Sequence, residues 1–107
     1  MKTESQLIKD EFVRLRKFNS IVFNYNSNRA NNAGLTGHPD WMILTPKLNV
    51  VFIEVKIGKD SLRDEQKAVL NRLSSVMGLP ASRVHYFLCK THQESKLISD
   101  GILNGKM

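Results

Sequence analysis

At 107 residues and 12.2 kDa the chain has the size of a single domain, 1–107, with no linker to a second expected. Its 41% hydrophobic and 24% charged residues suit a soluble globular protein with a modest core, and no apolar run approaches the roughly 20 residues of a membrane span. Sixteen Lys and Arg against ten Asp and Glu give +6 and a pI near 9.7, a balance that favours polyanionic partners without separating nucleic acid from acidic membrane or acidic protein.

In chain order, the start MKTESQLIKDEF lacks the apolar core of a signal peptide, and the single Cys89 excludes an internal disulfide framework. Both point to a reducing cytosol. From about Thr3 to Phe18, Leu7, Ile8, Phe12, Leu15 and Phe18 recur at three- and four-residue intervals as one helical stripe, and Thr3 with Gln6 forms a capping box at its start. Ile21, Phe23 and Tyr25 alternate as a strand, followed by the long Asn- and Gly-rich loop NSNRANNAGLTGHP. Trp41 to Leu44 and Val50 to Lys56 read as antiparallel strands joined by the short connection TPKLN. Ser61 and Asp64 open a second helix with the stripe Leu62, Gln66, Val69, Leu70, Leu73 and Met77, which Gly78 and Pro80 close. Val84 to Lys90 is the next strand. Thr91 and Glu94 then cap a last helix through Leu97, Ile98 and Ile102, expected to be interrupted at Gly101 and frayed towards Met107.

The order αβββαβα defines an α/β fold. Its helix between Val50–Lys56 and Val84–Lys90 has the length of a crossover, so these strands are expected to be parallel and the four-stranded sheet mixed.

If the hairpin is symmetric about Lys47, Leu44 faces Val50, Met42 faces Phe52 and Asp40 faces Glu54. Directly opposed residues have Cβ atoms about 4.5 to 5.5 Å apart, and like charges placed so are destabilising. Such a pair calls for a cation. Lys56 lies two residues beyond Glu54, on the same face of the strand. Hard carboxylate oxygens suit Mg²⁺ or Mn²⁺, whereas Cys89, His38, His85 and His92 lack zinc-ligand spacing. Read alone, Asp40 is equally a turn residue and Glu54 with Lys56 a solvated row. Yet the two charges interrupt VVFIEVKI, the most apolar strand of the chain, which should be central in the sheet.

Gly37-His38-Pro39-Asp40, the hairpin, Phe52-Ile53-Glu54-Val55-Lys56, then Ser61-Leu62 and Gln66 together resemble the PD-(D/E)XK nuclease superfamily, and within it the virus-type replication-repair nuclease (VRR-NUC) domains. The resemblance covers most of the chain and implies a restriction-endonuclease-like αβββαβ core. It also implies that Asp40, Glu54 and the Val55 carbonyl bind a divalent metal, that Lys56 positions or activates the attacking water, and that Gln66 contacts the active centre. A first-helix carboxylate completes such sites. Glu4, followed by Gln6 and Leu7, is the better match and Glu11 the competitor, although a first-turn Glu is also favoured by the helix dipole.

Arg29 in the Asn-rich loop, and Lys59, Arg63 and Lys67 around the second helix, are candidate DNA contacts, or equally a flexible insertion and a solvated basic face. Trp41, Val51, Ile53 and Val55 read as core rather than as a base-stacking surface. The expected activity is metal-dependent hydrolysis of phosphodiesters in branched or flapped DNA during replication, repair or recombination, by a C2 homodimer if junctions are cut symmetrically. The rivals are a Holliday junction resolvase of the archaeal type and a catalytically silent DNA-binding module of the same fold.

Overall fold

The computed structural model describes residues 2–24, 39–56 and 81–107. The expected second helix, Tyr25 and the Asn-rich loop lie outside them. Helix α1 spans Glu4–Arg14 and begins as the sequence predicts: the Thr3 hydroxyl accepts from the Gln6 N–H at 3.2 Å, and the Gln6 side chain accepts from the Thr3 N–H at 2.9 Å. A 3₁₀ turn, Leu15–Phe18, carries the helix on until Asn19 enters the left-handed region at φ 63° and turns the chain into strand β1, Ile21–Asn24.

Strands β2 (Trp41–Leu44), β3 (Val50–Val55) and β4 (Val84–Cys89) complete a mixed sheet in the order β1-β2-β3-β4, antiparallel except for the parallel β3–β4 pair. The expected hairpin register is observed, with Leu44 opposite Val50 and Met42 opposite Phe52. Its turn closes when the Leu48 N–H donates to the Thr45 carbonyl at 2.9 Å and the Thr45 N–H to the Asn49 carbonyl at 3.0 Å. Leu48 takes φ 65° there, a conformation a branched side chain rarely adopts.

Alternation divides the sheet into two faces. Trp41, Ile43, Val51, Ile53 and Cys89 point to the side covered by α1 and by α2 (His92–Leu103), where they pack with Ile8, Phe12, Leu15, Ile98 and Ile102. Phe12 meets Trp41 edge to face, ring centroids 5.4 Å apart. Each of these large side chains contributes roughly 1.5–3 kcal/mol by leaving water, so this face holds the core. Val50, Phe52 and Glu54 are buried on the opposite face as well, which makes β3 the central strand the sequence implied.

The Thr91 hydroxyl caps α2 by accepting from the Glu94 N–H at 3.1 Å, while the Glu94 carboxylate reaches back to the N–H of Lys90 rather than of Thr91. The end of α2 corrects the sequence reading. The helix runs through Gly101 without interruption and stops at a Schellman turn, in which Lys106 N–H donates to Gly101 O, Gly105 N–H to Ile102 O, and Gly105 takes φ 75°. Nor does the terminus fray, because the Thr45 hydroxyl and the Asn49 amide both donate to the Met107 carbonyl. A Cβ at Gly101 would come within 2.8 Å of the Met107 side-chain methyl, the end of a flexible chain that can move aside.

Candidate functional site

The β2–β3 ladder positions the site. Continued one step past Trp41 and Ile53, its register sets Asp40 against Glu54, and both are buried, at 3% and 1% exposure. Pro39 precedes them, buried and lacking an N–H. The Asp40 side chain continues the pairing instead: its Oδ2 accepts from the Val55 N–H at 2.9 Å, which holds the carboxylate in place against the end of β3.

Lys56 follows on the Glu54 face, with its Nζ 4.0 Å from Glu54 Oε1 and its side chain only 16% exposed. The Lys56 N–H donates to the Cys89 carbonyl at 3.0 Å, which extends the parallel ladder past Val55 and fixes the backbone from which the ammonium projects. Asp40, Glu54, Val55 and Lys56 are thereby gathered at one end of the two central strands, as the sequence predicts.

Tyr86 joins them unannounced. It pairs with Phe52 while Leu88 pairs with Glu54, so it stands on the Glu54 face of β4, one pleat away. The pKa of its phenol is held well above the ordinary value by burial first, then by the negative charges of Glu54 and Asp40. The signal was available in the alternation of β4, but the sequence reading did not follow that strand face across the parallel pair.

The structure does not bring the first-helix carboxylates to this pair. Helix α1 covers the other face of the sheet, and Glu4 Oε1 accepts from the His92 N–H, the first donor of α2. The positive end of that helix draws the carboxylate there. Glu11 is buried between α1 and α2, where its Oε2 accepts from Arg14 Nε at 3.0 Å and Nη2 at 2.7 Å, with His92 Nε2 4.0 Å from Oε1. Among the described residues no group of three or more His, Cys, Asp or Glu side chains gathers to hold a metal ion.

Gln66, Arg29, Lys59, Arg63, Lys67 and His38 lie outside the described residues. Trp41, Val51 and Ile53 are core, as expected, and Val55 packs against them half-buried.

The donors present suit a hard divalent cation: two buried carboxylates converge from adjacent strands, and their shared field reaches a phenol on the next strand. No helix among the described residues is long and apolar enough to cross a membrane.

No family model matches the sequence, and no curated protein matches it. A solved structure described as a VRR_NUC domain does match by fold, with a TM-score of 0.60 over 91% of this chain and 94% of the other at 17% sequence identity. The chain thus has the restriction-endonuclease-like fold of that domain: a mixed four-stranded sheet with helices packed on it.

Proposed function

We propose that the protein is a metal-dependent deoxyribonuclease that hydrolyses phosphodiesters in branched or flapped DNA. The observation that carries this reading is the pair of buried carboxylates, Asp40 and Glu54, set against each other at the end of the central strands with Lys56 Nζ 4.0 Å from Glu54. Fold likeness to a VRR_NUC domain supports it, as does the net charge of +6.

Asp40, Glu54 and the Val55 carbonyl would hold Mg²⁺ or Mn²⁺, while Glu4 and Glu11 are engaged at α2 and at Arg14. When bound, the metal polarises the phosphate and makes a coordinated water more acidic. The Val55 N–H keeps Asp40 oriented in the absence of substrate, so this ligand is set before binding. Lys56, mostly removed from water, orients the attacking water and offsets charge that develops on the phosphorane. Gln66 contacts the same centre, and Arg29, Lys59, Arg63 and Lys67 follow the phosphate backbone in this reading. A two-fold pair of such domains would present two sites to the two strands of a junction. Contacts made chiefly to phosphate would make the enzyme selective for DNA shape rather than sequence.

The test incubates wild type, Asp40→Asn and Glu54→Gln with branched, flapped, duplex and single-stranded DNA in Mg²⁺ or Mn²⁺. Wild type is expected to cut, and each variant to lose at least about 100-fold in rate while binding DNA as well or better. Asparagine retains an oxygen for the Val55 N–H, so Asp40→Asn should fold, melt slightly higher without metal as like-charge repulsion is relieved, and lose most of the Mn²⁺-dependent rise in Tm. A wild type that neither cuts nor responds to either metal would be the silent DNA-binding module.

A further inference from the structure

We propose that Tyr86 is a substrate-contacting residue of this site, its hydroxyl donating a hydrogen bond to a non-bridging oxygen of the phosphodiester held at Asp40 and Glu54. The proposal rests on the nuclease reading and extends it to a residue on a different strand, outside the Pro-Asp and Glu-x-Lys segments.

Register places it. Tyr86 is the partner of Phe52 in the parallel β3–β4 ladder, and Glu54 is two residues beyond Phe52 on the same face. A diagonal step of this kind is within the reach of an aromatic side chain. Burial and then the charges of Glu54 and Asp40 bear on the phenol, in keeping with its place on their face of the sheet. The residue is half-buried, leaving part of its surface open to a ligand.

The chemistry of the site explains the use of a phenol. An anionic diester that approaches two carboxylates needs hydrogen-bond donors as well as positive charge. Lys56 supplies charge but is placed beside Glu54, 4.0 Å from its oxygen. A tyrosine hydroxyl donates without adding a cation that would compete for Asp40 and Glu54. A phenol ordinarily ionises only at about pH 10, so it is protonated and a donor throughout the neutral range. Phenylalanine would fill the same space and lack only this proton.

Tyr86→Phe is therefore the test, read beside wild type on a flapped or branched DNA in Mn²⁺. Expected are a fall in kcat of roughly 10- to 100-fold, an unchanged Tm and an unchanged Mn²⁺-dependent rise in Tm. The second measurement uses DNA with a stereochemically pure phosphorothioate at the cleaved position. Sulfur accepts hydrogen bonds poorly, so one diastereomer should slow wild type more than it slows Tyr86→Phe, because the variant has already lost that contact. A purely structural tyrosine would leave the two proteins equally sensitive to sulfur. A Tyr86→Phe protein that cuts at the wild-type rate, or whose loss multiplies in full with the sulfur effect in both diastereomers, overturns the role of Tyr86 and leaves the nuclease reading standing. Absence of wild-type cleavage and of any metal-dependent rise in Tm removes the nuclease reading itself, and this proposal with it.

Discussion

A carboxylate that is 1% exposed, as Glu54 is, costs a fold several kcal/mol of desolvation unless charge and hydrogen bonds meet it, and Asp40 beside it adds repulsion. Residues kept in such an arrangement are candidates for function on physical grounds. Cys89 shows the opposite relation between burial and chemistry. Its thiol lies within the core, donates to the Thr91 carbonyl at 3.4 Å, and has its pKa pushed up to about 11 by burial first and then by the nearby Glu94 and Glu4 charges. The folded state thus favours the neutral thiol. Its stabilising contribution is complete below the unfolded value near 9 and is lost as pH rises through about 11, since the unfolded chain ionises first. Between those limits wild type should lose stability faster than Cys89→Ala, by on the order of 1 kcal/mol per pH unit in denaturant titrations, with the other groups that titrate there cancelling in the comparison. At pH 8 a thiol reagent should label the protein only after unfolding. Rapid labelling of the folded protein would show Cys89 to be accessible.

The elements divide by how local their causes are. The hairpin register is readable because a short turn and alternating apolar residues fix each other, so that the sequence alone sets Asp40 opposite Glu54. The Thr3–Gln6 box was equally local. Gly101 does not break the helix because an interior glycine costs only about 1 kcal/mol, which burial of Ile98 and Ile102 offsets, whereas Gly105, with its left-handed φ, carries the true stop signal. The site's third strand was missed for a related reason: the position of Tyr86 depends on a parallel pairing between segments far apart in sequence. Glu4 is the sharpest case. It occurs where a family pattern implies a metal ligand, yet its carboxylate binds the first turn of α2. Glu4→Gln should accordingly cost about 0.5 kcal/mol in low-salt denaturation, less as salt screens the exposed charge, and leave the Mn²⁺-dependent rise in Tm intact. Loss of that rise would instead assign Glu4 to the metal.

For the molecule as a whole, the excess of basic residues acts at longer range than any contact described above. With +6 on 107 residues, association with DNA should be dominated by release of phosphate-bound counterions. The logarithm of the affinity should then fall linearly with the logarithm of salt concentration, with a slope near −0.9 for each phosphate neutralised on duplex DNA. Binding measured by fluorescence anisotropy in Ca²⁺, to avoid cutting, reads this directly. Affinity independent of salt would mean that charge does not drive the encounter.

The bond from Glu4 to His92 joins positions 88 residues apart, and α1 shares its core with Ile98 and Ile102 of α2. On the ribosome, therefore, α1 emerges well before the helix that completes its cover. At roughly 5–20 residues per second, translation separates the two by about 4 to 18 s, during which Ile8, Phe12 and Leu15 lack part of their cover. The nascent chain carries an open apolar stripe over that interval, and this core can close only once α2 has left the exit tunnel.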